Sequence, residues 1–207
     1  VEKFISVSDF YAGVMKEKMT LPESKLTTVL VGVDPADYTF KLAKEKKRNI
    51  GYVSRMSHGN GMDILVDAFF LLKQKAEFDD VNLVLTGGST GDDKKFLSDI
   101  RSRIKEHGLQ EQVEFHEDFE EEGLRDYLEK VSVVSVPVRN GEAFGIYLLE
   151  CMASGVPVVQ PALGAFPEIV NLTGGGVIYK ENTPEALAKA LEKLLSDQEE
   201  LDRLSIK

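Results

Sequence analysis

Short runs of consecutive apolar residues alternate along most of this chain with longer stretches in which apolar positions recur every three or four residues. The first kind reads as a strand buried on both faces, the second as a helix with one buried face. From residue 49 onward the runs fall at 50–53, 81–85, 113–116, 131–136, 156–160 and 177–179. Helical spacing covers 62–75, 92–107, 121–129, 145–154 and 184–195. Ile64, Leu65, Ala68, Phe69 and Leu72 share a face in the first of these. Thr183 and Pro184 supply a cap and a first-turn proline for the last. Strands and helices in this alternation predict an α/β fold, a doubly wound parallel sheet of Rossmann-like type.

The first 48 residues have a different texture. A short strand is expected over 4–8, then a helix from Ser8 or Asp9 to about Met19, stopped by Leu21-Pro22-Glu23. An extended stretch follows at 28–33, ended by Asp34-Pro35. The basic run 41–48 reads as a linker, or equally as the solvated face of a helix. The chain opens within a strand and closes partway through a helical pattern, so a fragment of a longer protein is expected. Residues 1–47 read as the remnant of a preceding domain with its linker, and 48–207 as a nucleotide-binding domain cut at its far end.

Composition narrows the function. The 207 residues carry a formal net charge of −10, which repels a nucleic-acid backbone. A local basic pocket for one diphosphate remains compatible with it. The single cysteine, Cys151, forms no internal disulfide, which fits a reducing cytoplasm. No apolar run approaches the ~20 residues that span a bilayer, so any membrane contact is expected through parts outside this chain. His58, His107 and His116 are scattered without cysteine or carboxylate partners, so no metal site is expected. Asp92-Asp93 reads as a helix cap, Cys151 as core, and Gly174-Gly175-Gly176 as a turn.

Ligands of doubly wound sheets sit beyond the carboxyl ends of the strands. That rim here carries Ser54-Arg55, Thr86-Gly87-Gly88, His116-Glu117 and residues 137–145. The most informative stretch is Glu142-Ala-Phe-Gly-Ile-Tyr-Leu-Leu-Glu150. Glu142 follows a strand, and Gly145 allows a tight turn into a helix whose first amides, those of Phe144, Gly145 and Ile146, suit phosphate or sugar oxygens. Glu150 lies two turns further on and reaches the same cleft at another height. Two such carboxylates can accept hydrogen bonds from separate diols of one extended ligand. On spacing alone, a helix cap at Glu142 and a merely exposed Glu150 explain the pattern equally well.

The E-x7-E pattern, with Ala153-x-Gly155-x-Pro157-Val158-Val159 and Gly164-Ala-Phe-Pro167-Glu168-Ile-Val after it, resembles the retaining glycosyltransferases of family 4, which have the GT-B fold. Ser6-Val-Ser8 and Gly32-Val33-Asp34-Pro35 are similar to that family's interdomain segment. Gly51-Tyr-Val-Ser-Arg55 to Gly61 resembles its first donor loop, Asn82 to Gly88 its second strand and glycine turn, and Pro184-Glu-Ala-Leu-Ala its late helix. The resemblance runs collinearly through nearly the whole chain. It implies the C-terminal, donor-binding half of a GT-B enzyme that moves a hexose from a nucleoside diphosphate sugar (UDP-, GDP- or ADP-linked) to an acceptor hydroxyl with retention, in glycan or polysaccharide synthesis. Glu142 would bind hydroxyls of the transferred sugar and Glu150 the ribose. The amides of Phe144, Gly145 and Ile146 would hold sugar and phosphate oxygens, and Arg55 would neutralise the diphosphate. Gly87 would let the backbone approach the donor, or simply turn the strand into its helix. No cofactor or essential metal is implied. The acceptor, a glycan or lipid, would be bound by the other half, so this chain alone is expected to turn over no sugar.

One departure matters. The family places a lysine five residues after its arginine, where this chain has Asn60. Asn60 can donate a hydrogen bond to the donor but carries no charge, and His58 offsets that only when protonated. The alternative this raises is a catalytically impaired nucleotide-sugar-binding module. An ion pair at the surface is the competing role for Arg55.

Overall fold

A computed structural model describes residues 2–116 and 119–207, and of residues 119–122 the backbone alone. The chain opens with β1 (Phe4–Ser6), α1 (Asp9–Met19) and β2 (Leu26–Thr28), the two strands pairing in parallel. The strand expected at 28–33 therefore lies earlier. Its apolar run Val29-Leu30-Val31 is exposed instead, because nothing among the described residues covers it.

A second sheet holds β3 (Asn49–Val53), β4 (Asn82–Thr86), β5 (Val113–His116), β6 (Val133–Val134), β7 (Val158–Pro161) and β8 (Gly176–Tyr179). All neighbours are parallel and the order is β5-β4-β3-β6-β7-β8, so the chain reverses its winding between β3 and β6. The connecting helices are α2 (Met62–Leu72), α3 (Lys94–Glu106), α4 (Phe119–Lys130), α5 (Tyr147–Ala153) and α6 (Phe166–Thr173), with α7 (Pro184–Leu195) and α8 (Gln198–Ser205) closing the chain. Gly123 breaks α4 with a left-handed φ of 62°. The strand expected over 131–136 pairs only briefly. At Val136 the backbone N–H donates to the side-chain oxygen of buried Gln160, and the ladder stops.

The core fills both faces of this sheet. All five residues of β3 are buried. α2 sets Met62, Ile64, Leu65, Val66, Ala68, Phe69, Phe70 and Leu72 into it. From α4, Tyr127 inserts its hydroxyl between two strands, accepting from Tyr52 N (2.8 Å) and donating to Val84 O (2.7 Å). The basic run 41–48 is packed against the body. Lys46 Nζ donates to Leu128 O (3.1 Å) and Ser154 O (2.9 Å), the carboxyl ends of α4 and α5. Arg48 reaches Glu77 O, Asp80 and Leu195 O.

Candidate functional site

The switch point lies where β3 and β6 end side by side, and a small cleft opens there. It has a volume of about 230 Å³ and is lined by Val53, Ser54, Gly87, Leu124, Tyr147 and Glu150. Two residues expected at the site from the sequence, Gly87 and Glu150, thus meet in one cleft from the ends of different elements. Gly87 has φ 129°, and a Cβ there would fall 2.0 Å from Ser54 O, so the loops after β3 and β4 come together only because this residue is glycine.

Tyr147 and Tyr38 are not singled out by sequence pattern, yet Tyr147 lines the cleft beside Glu150 and Tyr38 is hydrogen-bonded to it. Tyr147 lines the cleft, and its hydroxyl is buried without a hydrogen-bond partner among the described residues. Burial first, and the Glu142 carboxylate second, push this phenol well above its ordinary range. Tyr38 O–H donates to Glu150 Oε1 at 3.2 Å, and its own pKa is raised, first by burial and then by the Glu150 charge. Arg125 lies over the Tyr38 ring at 5.7 Å and steadies it from α4.

Glu142 stands in the loop before α5, half-buried, and among the described residues its carboxylate takes part in no hydrogen bond or ion pair. Its backbone is fixed from behind. Ala165 N donates to Glu142 O (2.9 Å), and Gly164, with φ 61°, packs so closely that a Cβ would meet Glu142 N at 2.3 Å. That contact is the physical content of the Gly164-Ala-Phe-Pro-Glu motif: it is a buttress for the first glutamate. α5 begins at Tyr147 rather than Gly145. The N–H groups of Phe144, Gly145 and Ile146 precede it and donate to no backbone group among the described residues. The Phe144 side chain belongs to the core, so only its backbone faces outward, whereas Ile146 is exposed.

The loop after β3 carries Arg55 and Asn60. Arg55 forks onto Asp93, Nε to Oδ2 at 3.0 Å and Nη2 to Oδ1 at 3.1 Å. These bonds first, and the Thr90 backbone N–H next, hold the Asp93 carboxyl at about 2. The ion-pair role weighed for Arg55 is therefore present, with about half of the guanidinium side chain still exposed. Asn60 Nδ2 donates to Ser54 Oγ (2.9 Å) and Arg55 O (3.2 Å), so its amide shapes the loop. His58 stands beside Arg139, which comes from the segment after β6. His116 lies at the end of β5 within 3.4 Å of Glu114, and Glu117 lies outside the described residues. Among the described residues no three His, Cys, Asp or Glu side chains gather as a metal site requires, and no helix is long and apolar enough to cross a membrane.

The wholly parallel sheet wound both ways matches that of GT-B-type glycosyltransferase domains, and the chain is homologous to enzymes that use nucleotide sugars. The chain belongs to the glycosyl transferases group 1 family, whose model matches residues 35–207. The lipopolysaccharide core biosynthesis mannosyltransferase LpsB of Rhizobium meliloti is 30% identical over 175 residues, which is 83% of this chain and 45% of that protein. The chain spans about half the length of the curated relatives it matches, 46% and 45% for two of them. Among solved structures, Anabaena HepE in complex with UDP superposes with a TM-score of 0.84 at 19% identity, over 100% of this chain and 57% of that one. The C-terminal domain of a glycosyl transferase group 1 family protein (LpcC) from Francisella tularensis gives 0.73 at 23% identity, covering 84% of this chain and 93% of that domain. Likeness at these identities speaks for the fold.

Proposed function

We propose that this chain is the donor-binding, C-terminal half of a retaining hexosyltransferase and holds a nucleoside diphosphate sugar across the cleft at the switch point. The observation that carries the reading is the meeting of Glu150, Gly87 and Ser54 in that cleft. Glu150, steadied by Tyr38, accepts from ribose hydroxyls. Glu142, whose carboxylate has no protein partner to give up, accepts from hydroxyls of the transferred sugar. Arg55 and the amides of residues 144–146 face the diphosphate. The chemistry then needs positioning and charge stabilisation of the leaving diphosphate. Residues 1–47 serve as a strap and a piece of the partner half, a role that fits the exposed Val29-Leu30-Val31 run and the absence of buried residues in α1. The acceptor is the business of that other half.

A second reading, a binding module with little catalytic power, is favoured by one observation. Asn60 commits its amide to Ser54 and Arg55 and brings no charge.

Calorimetric titration of the chain with UDP, GDP, ADP and their hexose conjugates tests the main reading, with UDP first because HepE was solved with it. One base series is expected to bind. Glu150→Gln should weaken nucleoside, diphosphate and sugar conjugate together, by roughly tenfold for a charge-assisted bond. Glu142→Gln should remove only the extra affinity of the sugar conjugate over the bare diphosphate. Unchanged affinities in both variants would end this assignment.

A further inference from the structure

The cleft described above asks two carboxylates and a diphosphate to be neighbours. Arg55 offsets one negative charge, and Asn60, five residues further along the same loop, is neutral. The missing charge stands on the opposite side of the switch point. Arg139 leaves the end of β6, and its backbone N–H donates to Gly59 O at 3.1 Å, so it is stitched to the turn that carries Asn60. Gly61 completes the seam, because a Cβ there would fall 1.9 Å from Pro137 O. The Arg139 guanidinium lies against this turn, with Nη2 donating to Asp63 Oδ2 at 2.5 Å and Nε 3.2 Å from His58 Nε2.

Arg55 and Arg139 are built alike. Each is aimed by a largely buried carboxylate at the start of a helix that follows a strand: Asp93 before α3, Asp63 in the first turn of α2. In each, Nη1 has no partner among the described residues. Asp63 Oδ1 is buried with no hydrogen bond among the described residues. A buried acceptor left unsatisfied costs free energy, so this carboxylate is not placed for its own comfort. It fixes a guanidinium at the rim. Without Arg139, the basic side chain left within ion-pair reach of Asp63 among the described residues would be His58.

We infer that Arg139 supplies the second positive charge of the diphosphate subsite, taking from the β6 side the place that Asn60 leaves neutral. The inference rests on the proposed nucleotide-sugar reading of the cleft. It predicts an effect confined to phosphate, which a structural role for Arg139 would not produce.

The test is calorimetric titration of the chain with UDP, GDP and ADP, each beside its parent nucleoside. Arg139→Gln keeps a donor toward Asp63 and removes the charge. It should weaken the preferred diphosphate by about tenfold and its nucleoside by less than about twofold. Adding Asn60→Lys to Arg139→Gln should restore most of the loss, because the charge returns to the same turn. Arg139→Lys should stay within about threefold of wild type, and it carries the test if the glutamine variant proves unstable. Equal weakening of nucleoside and diphosphate, or no weakening of either, overturns the inference and leaves the donor cleft standing. Wild-type protein that binds none of the diphosphates overturns both.

Discussion

The N-terminal segment and the six-stranded body are held in opposite ways. In the body, β3 buries all five residues and α2 buries eight. In the segment, α1 buries none, and Ile5, Phe10, Tyr11 and Met19 are exposed. Val7 and Ala43 reach the core, and what fixes the start of α1 is polar and directional. Ser8 Oγ donates to Ala143 O at 2.5 Å, and the Glu168 carboxylate accepts from Asp9 N at 2.9 Å and Phe10 N at 3.0 Å. Burial is non-directional and supplies stability, whereas hydrogen bonds of known length supply position. Ala143 adjoins Glu142, so the directional fastening falls where placement of a carboxylate matters.

The comparison breaks hardest in the body. Phe69 is fully buried on α2. Phe69→Ala should cost about 3–5 kcal/mol through lost transfer energy and a residual cavity. Urea unfolding followed by far-UV circular dichroism reads this directly. A loss below about 1 kcal/mol would mean that the body is not held by its core.

The strap between the two regions gives a smaller, pH-dependent effect. Burial holds the Lys46 ammonium down to about 8 from 10.5, against the raising influence of Cys151, Glu129 and Glu45, while Lys41 adds to the lowering. Below pH 8 the folded protein bears the cost of a buried charge. Between about 8 and 10.5 the unfolded chain binds more protons than the folded one, so stability rises with pH across that window. The full gain is at most about 3 kcal/mol, and about half of it should appear by pH 9.5. Unfolding free energies at pH 8.0 and 9.5 are expected to differ by this amount in the wild type and not in Lys46→Met. Equal slopes for the two proteins would place the titration elsewhere.

The same contrast decides what could be read from the chain. Parallel strands buried on both faces write themselves as apolar runs, so β5 is found at 113–116, and α7, with its Thr183 cap, at 184–195. The run at 28–33 fails because periodicity registers apolarity, not whether anything covers it. Helix α6 starts within the Gly164-to-Val170 motif and runs on to Thr173, and Pro167 at its start and its eight residues blur the helical rhythm. At the site, Gly87 is legible because it follows a strand, and Glu142 and Glu150 because their spacing and the motifs after them resemble a known family, since spacing alone leaves a cap and an exposed side chain equally good. The partners that aim them are not. Asp93 lies 38 residues from Arg55 and Tyr38 lies 112 from Glu150, distances that only the wound sheet closes.

The smallest effect belongs to the fastening of α1, and it sharpens the comparison most. An α-helix starts with backbone donors that have no partner within it. Ser8 Oγ accepts from Tyr11 N at 3.0 Å, and Glu168, 159 residues from Asp9, takes the donors before it. Ser8→Ala removes the cap and the tie to Ala143 together, and Glu168→Ala removes the other two acceptors. A lost cap costs about 1 kcal/mol, which speeds local opening by roughly fivefold. Hydrogen exchange should therefore quicken by about that factor at the amides of residues 9–12 in either variant, and by more in the pair. The body should keep its melting temperature, because none of its buried contacts is touched. If Ser8→Ala instead lowers the stability of the whole sheet as much as Phe69→Ala does, the segment is an integral layer of the body, and its polar fastenings carry stability rather than position.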